Sequence, residues 1–102
     1  MKIVWARQAS SDLDEIHDYI ARDAPQRATR FLDRLVEATE PLADFPRLGR
    51  LVPESDGRLR ELQFPPYRIL YRVDADQISI VAVVHGKRDL SRLADKPWES
   101  SS

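Results

Sequence analysis

The sequence predicts an α+β domain in which a mainly antiparallel sheet packs against a helical hairpin, with the element order β-α-α-β-β-β. Apolar residues recur at helical spacing up to about residue 42 and at strand spacing from about residue 59. Pro46, Gly49 and Pro53 separate the two regions. A chain of 102 residues is expected to form one domain, 1–102, in which about 94–102 is a polar C-terminal tail.

The first half of the chain predicts one strand and two helices. "KIVWA" (2–6) is rich in β-branched and aromatic residues, which favours a strand. From about residue 9, apolar residues at spacings of four, three and four mark one face of a helix: Ala9, Leu13, Ile16 and Ile20. Asp23 followed by Pro25 is typical of the start of a second helix, whose apolar face extends to Leu42. The short break between them predicts an antiparallel hairpin.

The second half predicts three strands, "LRELQF", "YRILYRVD" and "QISIVAVVH". A tight turn at 74–77 makes the last two antiparallel neighbours. In the middle strand two sets of side chains alternate, Tyr67, Ile69, Tyr71 and Val73 against Arg68, Leu70 and Arg72. One face is therefore expected to pack on the helices and the other to carry two arginines. The last strand is apolar on both faces, as expected in the interior of a sheet.

Composition excludes several classes of function. The chain has no cysteine, which rules out disulfides, thiolate metal sites and thiol catalysis, and its two histidines leave little for a zinc site. We expect no metal and no cofactor. The start "MKIVWARQ" is too short and too polar for a signal peptide, and no apolar run is long enough to cross a membrane. The expected location is the cytoplasm, without membrane association.

Charge is segregated along the chain although the net charge is only −1. Residues 12–23 hold five carboxylates and one arginine, a net charge of −4. Residues 58–72 hold four arginines and one glutamate, a net charge of +3. Two interpretations stay open: two solvated faces of opposite sign, or one basic face for an acidic partner.

Several motifs together resemble a known family. The "DLDEIHDYI" helix, "PRLGR" followed by "VPE", and then "LREL", "YRILYRV" and "VVHGKRDL" are similar to the RelE/ParE superfamily of toxins from bacterial type II toxin-antitoxin modules. The resemblance extends from Lys2 to about Leu93. It implies the fold given above and a cognate antitoxin as partner.

The RelE branch of this superfamily consists of metal-independent endonucleases that cut mRNA on the ribosome. The resemblance places Arg68 and Arg88 on the two arginine positions of that branch, with His85 close by for proton transfer. Other positions depart from the pattern. Leu59 and Glu61 stand where RelE has two lysines, and Ala94 stands where it has a tyrosine.

The ParE branch inhibits DNA gyrase without an established set of catalytic residues, and "DLDEI", "GRLVPE" and "HGKRDL" resemble it more closely. We therefore interpret the chain as a ParE-like toxin that poisons DNA gyrase. A RelE-like nuclease acting on ribosome-bound mRNA with Arg68, His85 and Arg88, and a toxin fold that has lost its toxicity, are the alternatives. The candidate target-binding residues are Arg60, Arg68, Arg72, His85, Lys87, Arg88 and Trp98.

The resemblance also implies how the antitoxin binds. Its C-terminal segment is expected to fold on the toxin and to lay a helix into the groove of the helical hairpin. We expect part of the apolar face there to be incompletely buried in the free toxin. The candidate antitoxin-binding residues are Ile20, Phe31, Leu35 and Leu42.

Overall fold

The computed structural model describes residues 1–87, and the predicted tail at 94–102 lies outside this part of the chain. The elements are β1 (Lys2–Trp5), α1 (Arg7–Ala21), α2 (Pro25–Thr39), a 3₁₀ turn (Glu40–Ala43), β2 (Arg50–Leu51), a second 3₁₀ turn (Pro53–Ser55), β3 (Arg60–Phe64), β4 (Tyr67–Val73) and β5 (Gln77–His85). The predicted α+β class and the order of its elements are confirmed. The two-residue strand β2 is an addition, since the loop with Pro46 and Gly49 gave no strand pattern.

The five strands form one sheet in the order β1-β5-β4-β3-β2. β1 runs parallel to β5, and the other neighbours are antiparallel. The helices and the loop after them carry the chain from one edge strand, β1, to the other, β2. Strand β5 lies in the interior of the sheet, as its apolar composition predicted.

The main core lies between the helices and one face of the sheet. Helix α1 begins at Arg7, somewhat earlier than the predicted residue 9. Within residues 1–87, neither helix is long and apolar enough to cross a membrane. The buried members of this core are Ala9, Ile16, Leu35, Leu42, Ile69, Tyr71, Ile78, Ile80 and Val83.

An irregularity in β5 changes which side chains face the helices. Leu70 pairs with Ala82 while Tyr71 pairs with Ile80, so Val81 is an additional residue opposite that step of β4. An extra residue of this kind is a β-bulge, and it reverses the alternation of the strand beyond it. Val83 therefore joins the helix-facing core, whereas regular alternation would place it on the face opposite to Ile80.

The far face of the sheet carries Arg68 and Arg72 on either side of Leu70, as the alternation of β4 predicted, but its centre is apolar and covered. It carries a second apolar cluster, covered by the segment around the Pro53–Ser55 turn. Leu70, which was predicted on that face with two arginines, is completely buried there. The cluster consists of Val52, Leu59, Leu70, Val81, Ala82 and Val84.

The predicted antitoxin face is partly accessible: two of its four residues are completely buried and two are half-buried. Leu35 and Leu42 have an exposed fraction of 0% because both lie in the core between the hairpin and the sheet. Ile20 and Phe31 are half-buried at its margin.

Candidate functional site

A cleft of about 570 Å³ lies at the end of the sheet where the β3–β4 turn meets the end of β5. The turn contains a cis Pro65–Pro66 peptide bond, and the carbonyl oxygen of Pro66 accepts the N–H of Gly86 at 2.7 Å. This contact holds the turn against the residues that follow β5. The cleft brings together three of the predicted site residues: Arg68, His85 and Lys87.

A buried carboxylate controls the charge at this cleft. The Glu61 side chain is 1% exposed, and its two oxygens accept from different arginines. Oε1 accepts from Arg50 Nε at 2.6 Å, and Oε2 accepts from Arg68 Nε at 2.5 Å. The Arg68 side chain is 13% exposed whereas that of Arg50 is 68% exposed, so the Arg68 pair is the buried one. Arg68 is thus held by a carboxylate of the same protein.

His85 stands at the mouth of the cleft and is exposed. Its Nδ1 accepts the backbone N–H of Lys87 at 3.2 Å, and its ring meets the Tyr67 ring edge-on, with centroids 5.9 Å apart. The Tyr67 ring in turn packs edge-on against the Phe31 ring, with centroids 5.8 Å apart. Burial, with a smaller contribution from Tyr19, raises the pKa of Tyr67, which keeps its hydroxyl protonated.

Two other predicted arginines, Arg60 and Arg72, do not join this cleft. Arg60 donates to the carbonyl oxygen of Gly49 at 2.7 Å, while its strand neighbour Glu61 points to the opposite face. Arg72 lies toward the far end of β4, where it donates to Asp74 at 2.9 Å. This hydrogen bond is the main reason that the pKa of Asp74 is lowered. The positive charge counted along 58–72 therefore does not form one basic face.

Two predicted candidates, Arg88 and Trp98, lie outside the described residues. In the sequence, Glu61 is a carboxylate at a position where the RelE pattern has a lysine. In the structure it accepts hydrogen bonds from two guanidinium groups. Arg50 was missed as its partner. The pairing of Arg50 with Glu61 across β2 and β3 is the signal that would have revealed it, but β2 is too short to predict. Residues 1–87 contain no group of histidines and carboxylates arranged to hold a metal ion.

A helical hairpin packed on a mixed five-stranded sheet is the fold of the RelE/ParE-type toxins. The family described as "ParE toxin of type II toxin-antitoxin system, parDE" matches residues 3–90, and the chain belongs to this family. It is the toxin component of a type II toxin-antitoxin module.

Relatives with RelE and ParE names are both similar to the chain. The toxin RelE2 of Caulobacter vibrioides is 40% identical over 88 residues, which is 85% of this chain and 97% of the relative. The toxin ParE3 of the same organism is 28% identical over 91 residues, which is 88% of this chain and 91% of the relative.

Two solved structures have the same fold. A chain of the chromosomal ParDE system from P. aeruginosa superimposes with a TM-score of 0.74 at 27% identity, covering 83% of this chain and 95% of its own. A chain of the toxin-antitoxin complex RelBE2 from Mycobacterium tuberculosis superimposes with a TM-score of 0.61 at 25% identity. The match covers 82% of this chain and 95% of the other.

Proposed function

We propose that this toxin inhibits growth by binding and poisoning DNA gyrase and that a cognate antitoxin neutralises it. The observation that supports a gyrase target is the pairing of Arg68 with a carboxylate of the same protein. In the mRNA-cutting branch this position would stabilise the charge that develops on the phosphate. Here its guanidinium is bound by the buried carboxylate of Glu61.

The electrostatics of the cleft oppose phosphoryl chemistry. Cleavage by an attacking 2′-hydroxyl needs unpaired cations around a dianionic transition state. A carboxylate about 4 Å from such a phosphate costs about 4 kcal/mol per unit charge at an effective dielectric constant of about 20. Glu54 lines the cleft, and Glu61 lies behind it, paired with Arg50 and Arg68 of the lining. A protein partner with its own cations tolerates these groups better than an RNA backbone does.

A RelE-like nuclease is the alternative, and one observation favours it. Arg68 and His85 line the same cleft, so two of the three predicted catalytic residues lie together. His85 would take the proton of the 2′-hydroxyl, and Arg88 would supply the unpaired positive charge.

The antitoxin is expected to bind at the hairpin. Ile20 and Phe31 are the half-buried part of the predicted face, and Leu35 and Leu42 support them from inside the core. Tyr19, 68% exposed on α1, adds apolar area near Ile20. This surface suits an amphipathic helix. The complexes named for the ParDE and RelBE2 structures support a protein partner of this kind.

Two parallel assays with the purified toxin test the proposed target. We expect gyrase to lose supercoiling activity and to leave cleaved plasmid, while an in vitro translation reaction keeps its mRNA intact. Cleaved mRNA with active gyrase would select the nuclease instead. No effect in either assay, together with unchanged growth on expression without antitoxin, would select a fold that has lost its toxicity.

A further inference from the structure

An apolar surface lies at the opposite end of β4 from the cleft. It surrounds a groove of about 610 Å³, and four of its large side chains are well exposed: Phe45 (64%), Leu48 (56%), Met1 (41%) and Val73 (39%). Pro46 lies between them. We call these five residues the Phe45 surface. Contiguous apolar side chains of this size are typical of sites that bind another protein.

Hydrogen bonds from Tyr71 and from the N-terminus fix the loop that carries the Phe45 surface. The Tyr71 hydroxyl is buried; it accepts the N–H of Gly49 at 2.8 Å and donates to the carbonyl oxygen of Pro46 at 2.7 Å. A side chain at Gly49 would meet the Glu61 carbonyl oxygen at 2.5 Å, so the loop fits closely only with glycine. On the other side, the N-terminal ammonium of Met1 donates to the Ala43 carbonyl oxygen at 2.7 Å. The exposed rings and methyl groups are thus presented by an anchored loop.

Besides the N-terminal ammonium of Met1, which donates to the Ala43 carbonyl oxygen, two side chains of opposite charge flank the groove. Asp44 and Arg47 both line it and are exposed. Within residues 1–87 neither side chain forms an ion pair. In a two-fold symmetric interface, residue i of one subunit meets residue j of the other and the reverse contact occurs as well. One acidic and one basic side chain beside an apolar centre can therefore supply two reciprocal ion pairs to such an interface.

We propose that the Phe45 surface binds a second copy of this chain through a two-fold axis. The apolar side chains pack across the axis, and Asp44 of each copy pairs with Arg47 of the other copy. Val73 and Tyr67 are the two ends of β4, about 20 Å apart at about 3.3 Å per residue. The dimer consequently leaves the cleft of each copy accessible.

Sedimentation velocity of the purified chain over a range of micromolar concentrations tests the apolar contact. We expect a monomer–dimer equilibrium that Leu48→Ser shifts to the monomer. Leu51→Ser is the matched control, because Leu51 is 51% exposed but lines the cleft. It should leave the equilibrium unchanged. A chain that is monomeric at every concentration, or a dimer that Leu48→Ser leaves intact, would overturn the proposal.

Charge reversal tests the symmetry. Asp44→Arg and Arg47→Asp should each weaken the dimer at least tenfold, since each places like charges across the axis. The double variant restores both pairs and should recover the wild-type dissociation constant. Circular dichroism of each variant confirms that it is folded. If the double variant dimerises no better than the single ones, or if the surface binds only the antitoxin or gyrase and the double variant fails to bind them, the second copy is the wrong occupant.

Discussion

At the scale of single residues, Glu61 separates what the sequence could predict from what it could not. The sequence identified it as a carboxylate at a position where related nucleases carry a lysine. Whether that carboxylate is free or paired depends on the register of β3 against β4, in which Gln63 pairs with Arg68. This register brings the Arg68 side chain diagonally to Glu61, a contact that no local pattern encodes.

Replacing Glu61 with glutamine should destabilise the protein strongly. The change leaves the buried guanidinium of Arg68 without a counter-charge, and breaking a buried pair from one side costs about 3 kcal/mol or more. Urea unfolding monitored by circular dichroism measures the loss.

Arg50→Ala is the matched control for this prediction. Arg50 pairs with the same carboxylate, but its side chain is 68% exposed. Removing an exposed partner should cost no more than about 1 kcal/mol. Equal losses for the two variants would mean that the buried pair does not contribute as described.

At the scale of elements, the sequence predicted the helices and the long strands because their apolar periods are clear. It could not predict the bulge in β5. Because the residues on both sides of Val81 are apolar, an extra residue there does not disturb any alternation of polar and apolar residues. Two residues beyond the bulge, β5 is joined to α1 by a hydrogen bond. Past the end of β1, the N–H of Val83 is accepted by Asp12 Oδ2 at 2.8 Å.

Asp12→Ala should therefore loosen the contact between α1 and β5. A hydrogen bond to a charged acceptor contributes about 1.5 to 3 kcal/mol, and the Val83 amide would lose its partner. Hydrogen exchange of that amide should accelerate, and the urea midpoint should fall. Asp14→Ala, an exposed carboxylate on the same helix, should change neither. Unchanged protection of Val83 in the Asp12 variant would refute this role.

The β4–β5 turn should give the protein part of its sensitivity to acid. The hydrogen bond from Arg72 lowers the folded-state pKa of Asp74 below its ordinary value of 3.8. Stability from this carboxylate is therefore complete above that value and is lost as the pH falls through the lower, folded-state pKa. The side chain is 31% exposed, so the contribution is below about 1 kcal/mol. Urea midpoints of Asp74→Asn should fall less on acidification than those of the wild type; an identical acid dependence would contradict this.

At the scale of the whole molecule, the fold and the family could be predicted from the sequence, but the distribution of charge could not. The +3 counted along 58–72 suggested a basic face. In the folded protein Arg68 binds Glu61, Arg72 binds Asp74, and Arg60 turns to the Gly49 carbonyl on the other side of the sheet. Three of the four arginines of this region therefore bind groups of the toxin itself, and among the described cations that line the cleft only Lys87 has no carboxylate partner.

The most direct test of this account is plasmid cleavage by gyrase in the presence of the wild-type toxin and of the triple variant Arg68→Ala, His85→Ala, Arg88→Ala. Arg68→Ala leaves Glu61 without its buried partner, so circular dichroism first establishes that the variant is folded. His85→Ala, Arg88→Ala, which keeps the Glu61 pair, replaces it if it is not. The account predicts that gyrase accumulates linear plasmid with the wild type and that ribosome-bound mRNA stays intact with both proteins, because the cleft residues are not catalytic. It would be contradicted if gyrase were unaffected and the wild type cut ribosome-bound mRNA while the variant did not.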